Sequence, residues 1–250
     1  MNSKLFDEYE HLVFLDTETT GFDAKKNQII EYAALNYSKE GPGEPIDTYV
    51  QLEIEPDIPE KITDITGITA LQCATGISER KPLDLMTRMF TPAKENGKVL
   101  LIAHNAQFDL NFIAETYIRH IKETGYDPIR SFTQADYLDT LTVYKDRAGF
   151  PHKLKDAITH YGLDGKVENT HRAIDDAKAL AAVFEAMAEE RDDLDQYVNI
   201  FGFNEKYGVS GSKFKKVTYG PQNIRYSVNI TMPCDIFPKK VGISKGGTQK

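Results

Sequence analysis

Asp16 and Glu18 close the stretch Leu12-Val13-Phe14-Leu15-Asp16-Thr17-Glu18, in which four apolar residues run directly into two carboxylates one residue apart. An unbroken apolar run reads as a strand covered on both faces, and residues two apart on a strand share a face. With about 3.3 Å of rise per residue the two positions stand about 6.6 Å apart, so their side chains can converge on one cation. Anions brought together at the end of a core strand repel and lose hydration, and need a metal ion or a guanidinium beside them. On this stretch alone a solvated turn is the competing reading. Two more acids are placed by periodicity. On a helical wheel turning about 100° per residue, Asp109 falls in the middle of the apolar stripe of Phe108, Phe112, Ile113 and Tyr117. A helix-capping role is the alternative for it. Asp176 falls on the flank of the stripe of Ile174, Ala177, Leu180, Ala181, Phe184 and Ala188, whereas Asp175 points to the opposite, solvated side.

Asp16, Glu18, Asp109 and Asp176, with His171 at the start of the last helix, suit a pair of divalent cations. Hard ions such as Mg²⁺ or Mn²⁺ prefer carboxylate oxygens and water, and a lone His is a poor basis for a zinc site. Two such ions about 3.5–4 Å apart stabilise both the attacking and the leaving oxygen of phosphodiester hydrolysis. His171 is then free to take a proton from the attacking water. A structural, helix-capping histidine is the plainer alternative.

The elements that must carry these groups are legible in outline. Leu12–Glu18, Gln28–Tyr37 and Thr48–Ile54 read as three strands of an antiparallel meander. One or two short helices follow around Gly67, and a helix is expected over Pro82–Pro92. The apolar strand Lys98–Ala103 leads into a long helix reaching Thr124. A strand over Ser131–Tyr137, helices over Leu138–Arg147 and Lys153–Tyr161, and a long helix from Asn169 to Arg191 complete the pattern.

The chain of 250 residues is long enough for one large domain with an appendage. It has 40% hydrophobic and 27% charged residues and no long apolar run, which excludes a membrane span and argues for a soluble globular protein. The acidic N-terminus has no apolar core of signal-peptide length, which places the protein in the cytoplasm. Cys73 and Cys234 are far apart and read as ordinary buried residues. The net charge of −8 is uneven: from Asp195 onward nine Lys or Arg face three Asp or Glu, a balance of +6, which leaves −14 on the first 194 residues. That break puts a boundary near Leu194.

Leu15-Asp16-Thr17-Glu18-Thr19-Thr20-Gly21, His104-Asn105-Ala106-Gln107-Phe108-Asp109 and His171-Arg172-Ala173-Ile174-Asp175-Asp176 resemble the three exonuclease motifs of the DEDD superfamily. The His five residues before the last Asp marks its DEDDh branch, which includes the proofreading epsilon subunit of bacterial DNA polymerase III and the exonuclease domain of the Gram-positive replicative polymerase. The resemblance spans about residues 10 to 190. It implies an α/β, ribonuclease-H-like fold with a five-stranded mixed sheet flanked by helices. It also implies 3′-to-5′ release of nucleoside 5′-monophosphates from DNA, in proofreading or repair. By motif match Asp16, Glu18 and Asp176 hold the tighter ion, Asp16 bridges to a second, and Asp109 supports that second ion. Thr17, Thr19, Thr20 and Gly21 match the turn around the terminal nucleotide, Thr66, Gly67 and Ile68 the loop against its base or sugar, and His104, Asn105 and Phe108 the substrate groove. Asn105 and Phe108 are equally well read as structural. The implied partners are single-stranded or frayed DNA 3′ ends, with a polymerase or a sliding clamp as candidate protein partners. An exoribonuclease of the same branch and a non-catalytic nucleic-acid-binding module are the alternatives.

Residues 195–250 interleave aromatics with lysines, densest at Lys213-Phe214-Lys215-Lys216, which suits single-strand binding. A small β appendage with a strand over Tyr226–Met232 is the other reading of this extension.

Overall fold

A computed structural model of the chain describes residues 4–79, 97–124, 136–199, 201–203 and 218–220. The expected helix over 82–92, the strand over 226–232, Cys234 and the lysine-rich patch of 213–216 lie outside them. Strand β1 (His11–Thr19) runs antiparallel to β2 (Ile29–Ser38), which pairs on its far edge with both β3 (Gly41–Pro42) and β4 (Ile46–Tyr49). Short helices α1 (Glu60–Thr66) and α2 (Ala70–Ala74) follow. Strand β5 (Val99–Ala103) then lies parallel to β1, and after the long α3 (Ala106–Thr124), β6 (Asp136–Asp139) lies parallel to β5. Helices α4 (Thr140–Arg147), α5 (Leu154–His160) and α6 (Ala173–Glu190) complete the domain.

Six strand segments thus occupy five positions, in the order β3/β4, β2, β1, β5, β6. The expected five-stranded mixed sheet is present, with its outer strand broken in two. That outer strand ends at Tyr49, not at Ile54. After Val50 the chain is drawn off the sheet by the buried Gln28 side chain, which accepts from the amides of Glu53 and Ile54 and donates to the Gln51 carbonyl. The helix following His104 begins only at Ala106, and the last helix begins at Ala173, after His171 has passed through the left-handed region at φ 57°.

The alternation of β1 sorts the two layers. Val13 and Leu15 pack on one face against Leu110, Phe112 and Ile113 of α3, while Leu12 and Phe14 pack on the other against Ala177, Leu180 and Phe184 of α6. Asp16 and Glu18 therefore continue the α6 face, and Thr17 the α3 face. A register shift between Glu18 and Thr19 ends the regular ladder just past the acids.

Residues on either side of the expected boundary near Leu194 contact the domain. Leu194 and Tyr197 belong to the α6-side core, and the Tyr197 hydroxyl donates to Asp146. Asn199 ties itself to β6, accepting from the Tyr137 amide and donating to the Tyr137 carbonyl and Asp136. Beyond it Phe201–Phe203 and Thr218–Gly220 pair as a short antiparallel ribbon, β7 and β8. No helix among the described residues is long and apolar enough to cross a membrane.

Candidate active site

Asp16 stands at the carboxyl end of the central strand, where an antiparallel neighbour lies on one side and a parallel one on the other. Its carboxyl is pushed well above the usual carboxylate range, first by burial and then by the charges of Asp109, Asp176, Glu18 and Glu31. Burial and Asp176 likewise push Glu18 up to about 8. Carboxylate oxygens of Glu18 and Asp176 and a ring nitrogen of His171 lie within 4.8 Å of one another. Asp109 is buried and accepts a 2.7 Å hydrogen bond from the Thr17 hydroxyl, yet burial still raises it to about 7. Acids from β1, α3 and α6 are thus gathered around Asp16, and Asp175 is left outside, bonded to Thr170 and Lys178.

Buried carboxylates that raise one another's pKa are short of positive charge. Asp176 Oδ1 is buried with no hydrogen-bond partner, so an acceptor is left open where the acids meet. The donor set is hard oxygen with a single imidazole, which fits Mg²⁺ or Mn²⁺ better than zinc. Asp16, Glu18, Asp109 and Asp176 would hold two such ions. Because all four folded-state pKa values are raised, the stability these groups contribute is present below about pH 4 and is lost as pH climbs through the folded values. The metal-free protein should therefore melt at a lower temperature at pH 8 than at pH 5, and Mn²⁺ should raise the melting temperature more at pH 8. Thermal melts with and without EDTA test this, and a metal effect larger at pH 5 would count against the centre.

Two other buried carboxylates fix the helices that deliver the acids. Glu31, paired across the ladder with Glu18, accepts from Arg172 Nε (3.0 Å) and Nη2 (2.5 Å) and from the Ala173 amide (2.8 Å) at the start of α6. Arg172 also donates to the Tyr49 hydroxyl and lies over that ring. Asp139, at the end of β6, accepts from the amides of Asn105 and Ala106 entering α3, and from the Leu141 amide and Thr142 hydroxyl opening α4. Neither residue was among the sequence candidates. The available signal was an acid inside the apolar run of Ile29–Leu35, and the Asp-Thr-Leu-Thr capping pattern at 139–142.

The motif-matched substrate residues divide by exposure. Thr17, Thr19 and Thr20 are buried and already bonded: Thr17 to Asp109, Thr19 to the Gly21 carbonyl, and Thr20 to Glu55 and the Gln28 amide. Gly21 lies close to the Asn27 side chain, which would have to shift to admit a Cβ, 2.5 Å from Oδ1 as it stands. Thr66 and Ile68 are buried, Ile68 against Ile30, Ile58 and Cys73, so their side chains face the core; Gly67 closes α1 at φ 70°. Asn105 is exposed at φ 69°, and Phe108 is partly open beside Phe112. His104 lines a groove of about 230 Å³ with Asp16, His171, Asp176, Asn169, Lys153, Leu154 and Lys155. A residue absent from the sequence candidates joins them: Phe22, 80% exposed, stands edge-on to Phe108 at 6.5 Å. Its signal was a large apolar residue directly after the motif glycine.

A mixed sheet flanked by helices, with acids gathered at the end of its central strand, is the ribonuclease-H-like architecture of exonucleases. The Exonuclease family model RNase_T matches residues 13–184, and the chain belongs to that family. It is 35% identical over 212 residues to DNA polymerase III PolC-type of Clostridium perfringens, covering 83% of this chain and 13% of the relative, so it spans only about an eighth of that protein's length. It is 29% identical over 133 residues to Ribonuclease T of Photorhabdus laumondii, covering 49% of this chain and 61% of the relative. Among solved structures it is similar in fold to E. coli Exonuclease I in complex with a dA16 oligonucleotide (TM-score 0.59, 21% identity, 73% of this chain and 41% of the other). Cell-death related nuclease 4 is also similar (TM-score 0.63, 16% identity, 86% and 82%).

Proposed function

We propose that the chain is a metal-dependent 3′-to-5′ exonuclease that releases nucleoside 5′-monophosphates from DNA, preferring single-stranded or frayed 3′ ends. The observation that carries this reading is the convergence of Asp16, Glu18, Asp109 and Asp176 around an unpartnered Asp176 oxygen, with His171 at hand. When bound, two Mg²⁺ or Mn²⁺ ions would supply the positive charge that a phosphodiester's attacking and leaving oxygens need. His171 is exposed at the groove, outside the helix, and takes the proton from the attacking water at a ring nitrogen. Phe22 and Phe108 offer rings against which a terminal base can stack. The turn of Thr19, Thr20 and Gly21 presents its backbone to the terminal nucleotide, its hydroxyls being engaged in holding the turn itself. Gly67 brings the α1 end to the sugar, and Asn105 and His104 border the strand.

The PolC-type relatives, DNA polymerases by name, support DNA as substrate and a role in replication. The Ribonuclease T relative supports a second reading, trimming of RNA. Matched DNA and RNA oligomers with a 5′ label, incubated with the purified protein and Mn²⁺, decide both. The expected result is a ladder shortening from the 3′ end with mononucleotide release, faster on DNA. A faster RNA ladder would favour the second reading, and endonucleolytic fragments or no cleavage would exclude the first.

A further inference from the structure

The groove that contains Asp16, His171 and Asp176 has a second wall of opposite charge, made by Lys153 and Lys155 at the start of α5. Both are exposed, and neither ammonium forms an ion pair with a described residue. Elsewhere on the surface Lys4, Lys26, Lys39, Lys98 and Lys178 each sit on a carboxylate, whereas Lys25, Lys61 and Lys166 are exposed without one; what sets Lys153 and Lys155 apart is their place in the groove. Two cations bordering the densest group of acids in the domain, yet bound to none of them, are available to an anion that enters the groove.

The wall is built rather than incidental. His104, at the end of β5, places Nε2 2.9 Å from the His152 carbonyl and Nδ1 3.0 Å from the Thr140 hydroxyl. Burial lowers its pKa; Nε2 donates to the His152 carbonyl, and the Thr140 hydroxyl beside Nδ1 also reaches the Ala103 carbonyl. His152 donates to the Ala148 carbonyl, and the Lys153 amide donates to Asp156. The Tyr144 ring packs edge-on against both His152 and His160. These bonds fix the loop 148–153 to the strand end that carries the site. On the same loop Phe150 is 89% exposed, touching only the edge of His152 among the aromatic rings described. An exposed ring on the loop that leads into two unpaired cations is the pattern of a single-strand path, in which rings stack bases and ammonium groups follow phosphates.

We propose that Lys153 and Lys155, with the ring of Phe150, form a second subsite, which holds a backbone phosphate and a base adjacent to the scissile phosphodiester. This rests on the exonuclease reading above and adds that the site grips a strand, not a single nucleotide. The metal centre can neutralise only the phosphate under attack; the neighbouring one enters an acidic field and needs its own cations.

The test compares two substrates: a ten-nucleotide oligothymidylate, and the p-nitrophenyl ester of thymidine 5′-monophosphate, which has one phosphodiester and no neighbour. In the Lys153→Ala/Lys155→Ala variant, kcat/KM on the oligomer should fall at least about tenfold relative to that on the ester. The slope of log kcat/KM against log salt should flatten by about one for each lysine removed. Lys153→Arg/Lys155→Arg should restore both. A parallel loss on the two substrates, or an unchanged salt slope, overturns the proposal. Anisotropy of the labelled oligomer gives the same comparison without turnover. A wild-type protein that binds the strand but cleaves neither substrate would sink the nuclease reading and still decide this one.

Discussion

Asp16→Ala is expected to abolish cleavage, by at least about 10³-fold in kcat, a loss of about 4 kcal/mol of transition-state stabilisation. Asp16, like Glu18, is raised by the charges of Asp109 and Asp176, the acids contributed by the two helices, and Asp16 is raised by Glu18 as well. On the proposed site, removing it deletes the carboxylate assigned to both ions. The same change relieves repulsion, so the variant's melting temperature in metal-free buffer at pH 8 should equal or exceed that of the wild type. Activity assays and melts on one preparation test both halves. Retained cleavage would end the proposal, and a large drop in melting temperature would show that Asp16 serves the fold instead.

Glu31→Ala should cost both stability and turnover without touching a candidate ligand. The Glu31 carboxylate is buried, and its loss leaves the Arg172 guanidinium and the Ala173 amide without their acceptor. Breaking a buried pair costs about 3–5 kcal/mol, and the one-third exposure of Arg172 brings the expected loss of unfolding free energy to about 2–3 kcal/mol. Because Arg172 stands between His171 and the first turn of α6, the start of that helix loses its anchor. A displacement of order 1 Å there should reduce kcat about 10²-fold and raise the Mn²⁺ concentration needed for half-maximal rate. Glu31→Gln, which keeps an acceptor for the Ala173 amide, should recover part of the stability but less of the rate. Urea melts and Mn²⁺ titrations of both variants supply the numbers; a destabilised Glu31→Ala protein with normal kcat and metal requirement would confine Glu31 to a structural role.

The sheet and the acids were legible because both follow from short-range pattern. Four apolar residues ending in Asp-x-Glu define β1 and put two carboxylates on one face, and helical periodicity separates buried Asp176 from Asp175. What was not legible depends on contacts between remote residues. Glu31 meets Arg172 across 141 positions, and Asp139 reaches back 34 positions to Asn105. A buried acid looks like any other acid until its partner is known. The end of β4 was misplaced because Gln28, not local propensity, decides where the chain leaves the sheet. The side chains of Thr66 and Ile68 were matched to a substrate loop, yet both turn inward, since a motif specifies the backbone path more firmly than the direction of each side chain.

The central position of β1 has a consequence for biosynthesis. Its inner neighbour β5 and the helix that completes its acidic pocket are made roughly 85 and 160 residues later, so a nascent chain displays Asp16 and Glu18 long before anything can hold a cation with them. On the proposed site, a ribosome-bound fragment stopping short of α6 lacks Asp176 and is expected not to cut, so cleavage becomes possible only once that helix has been made.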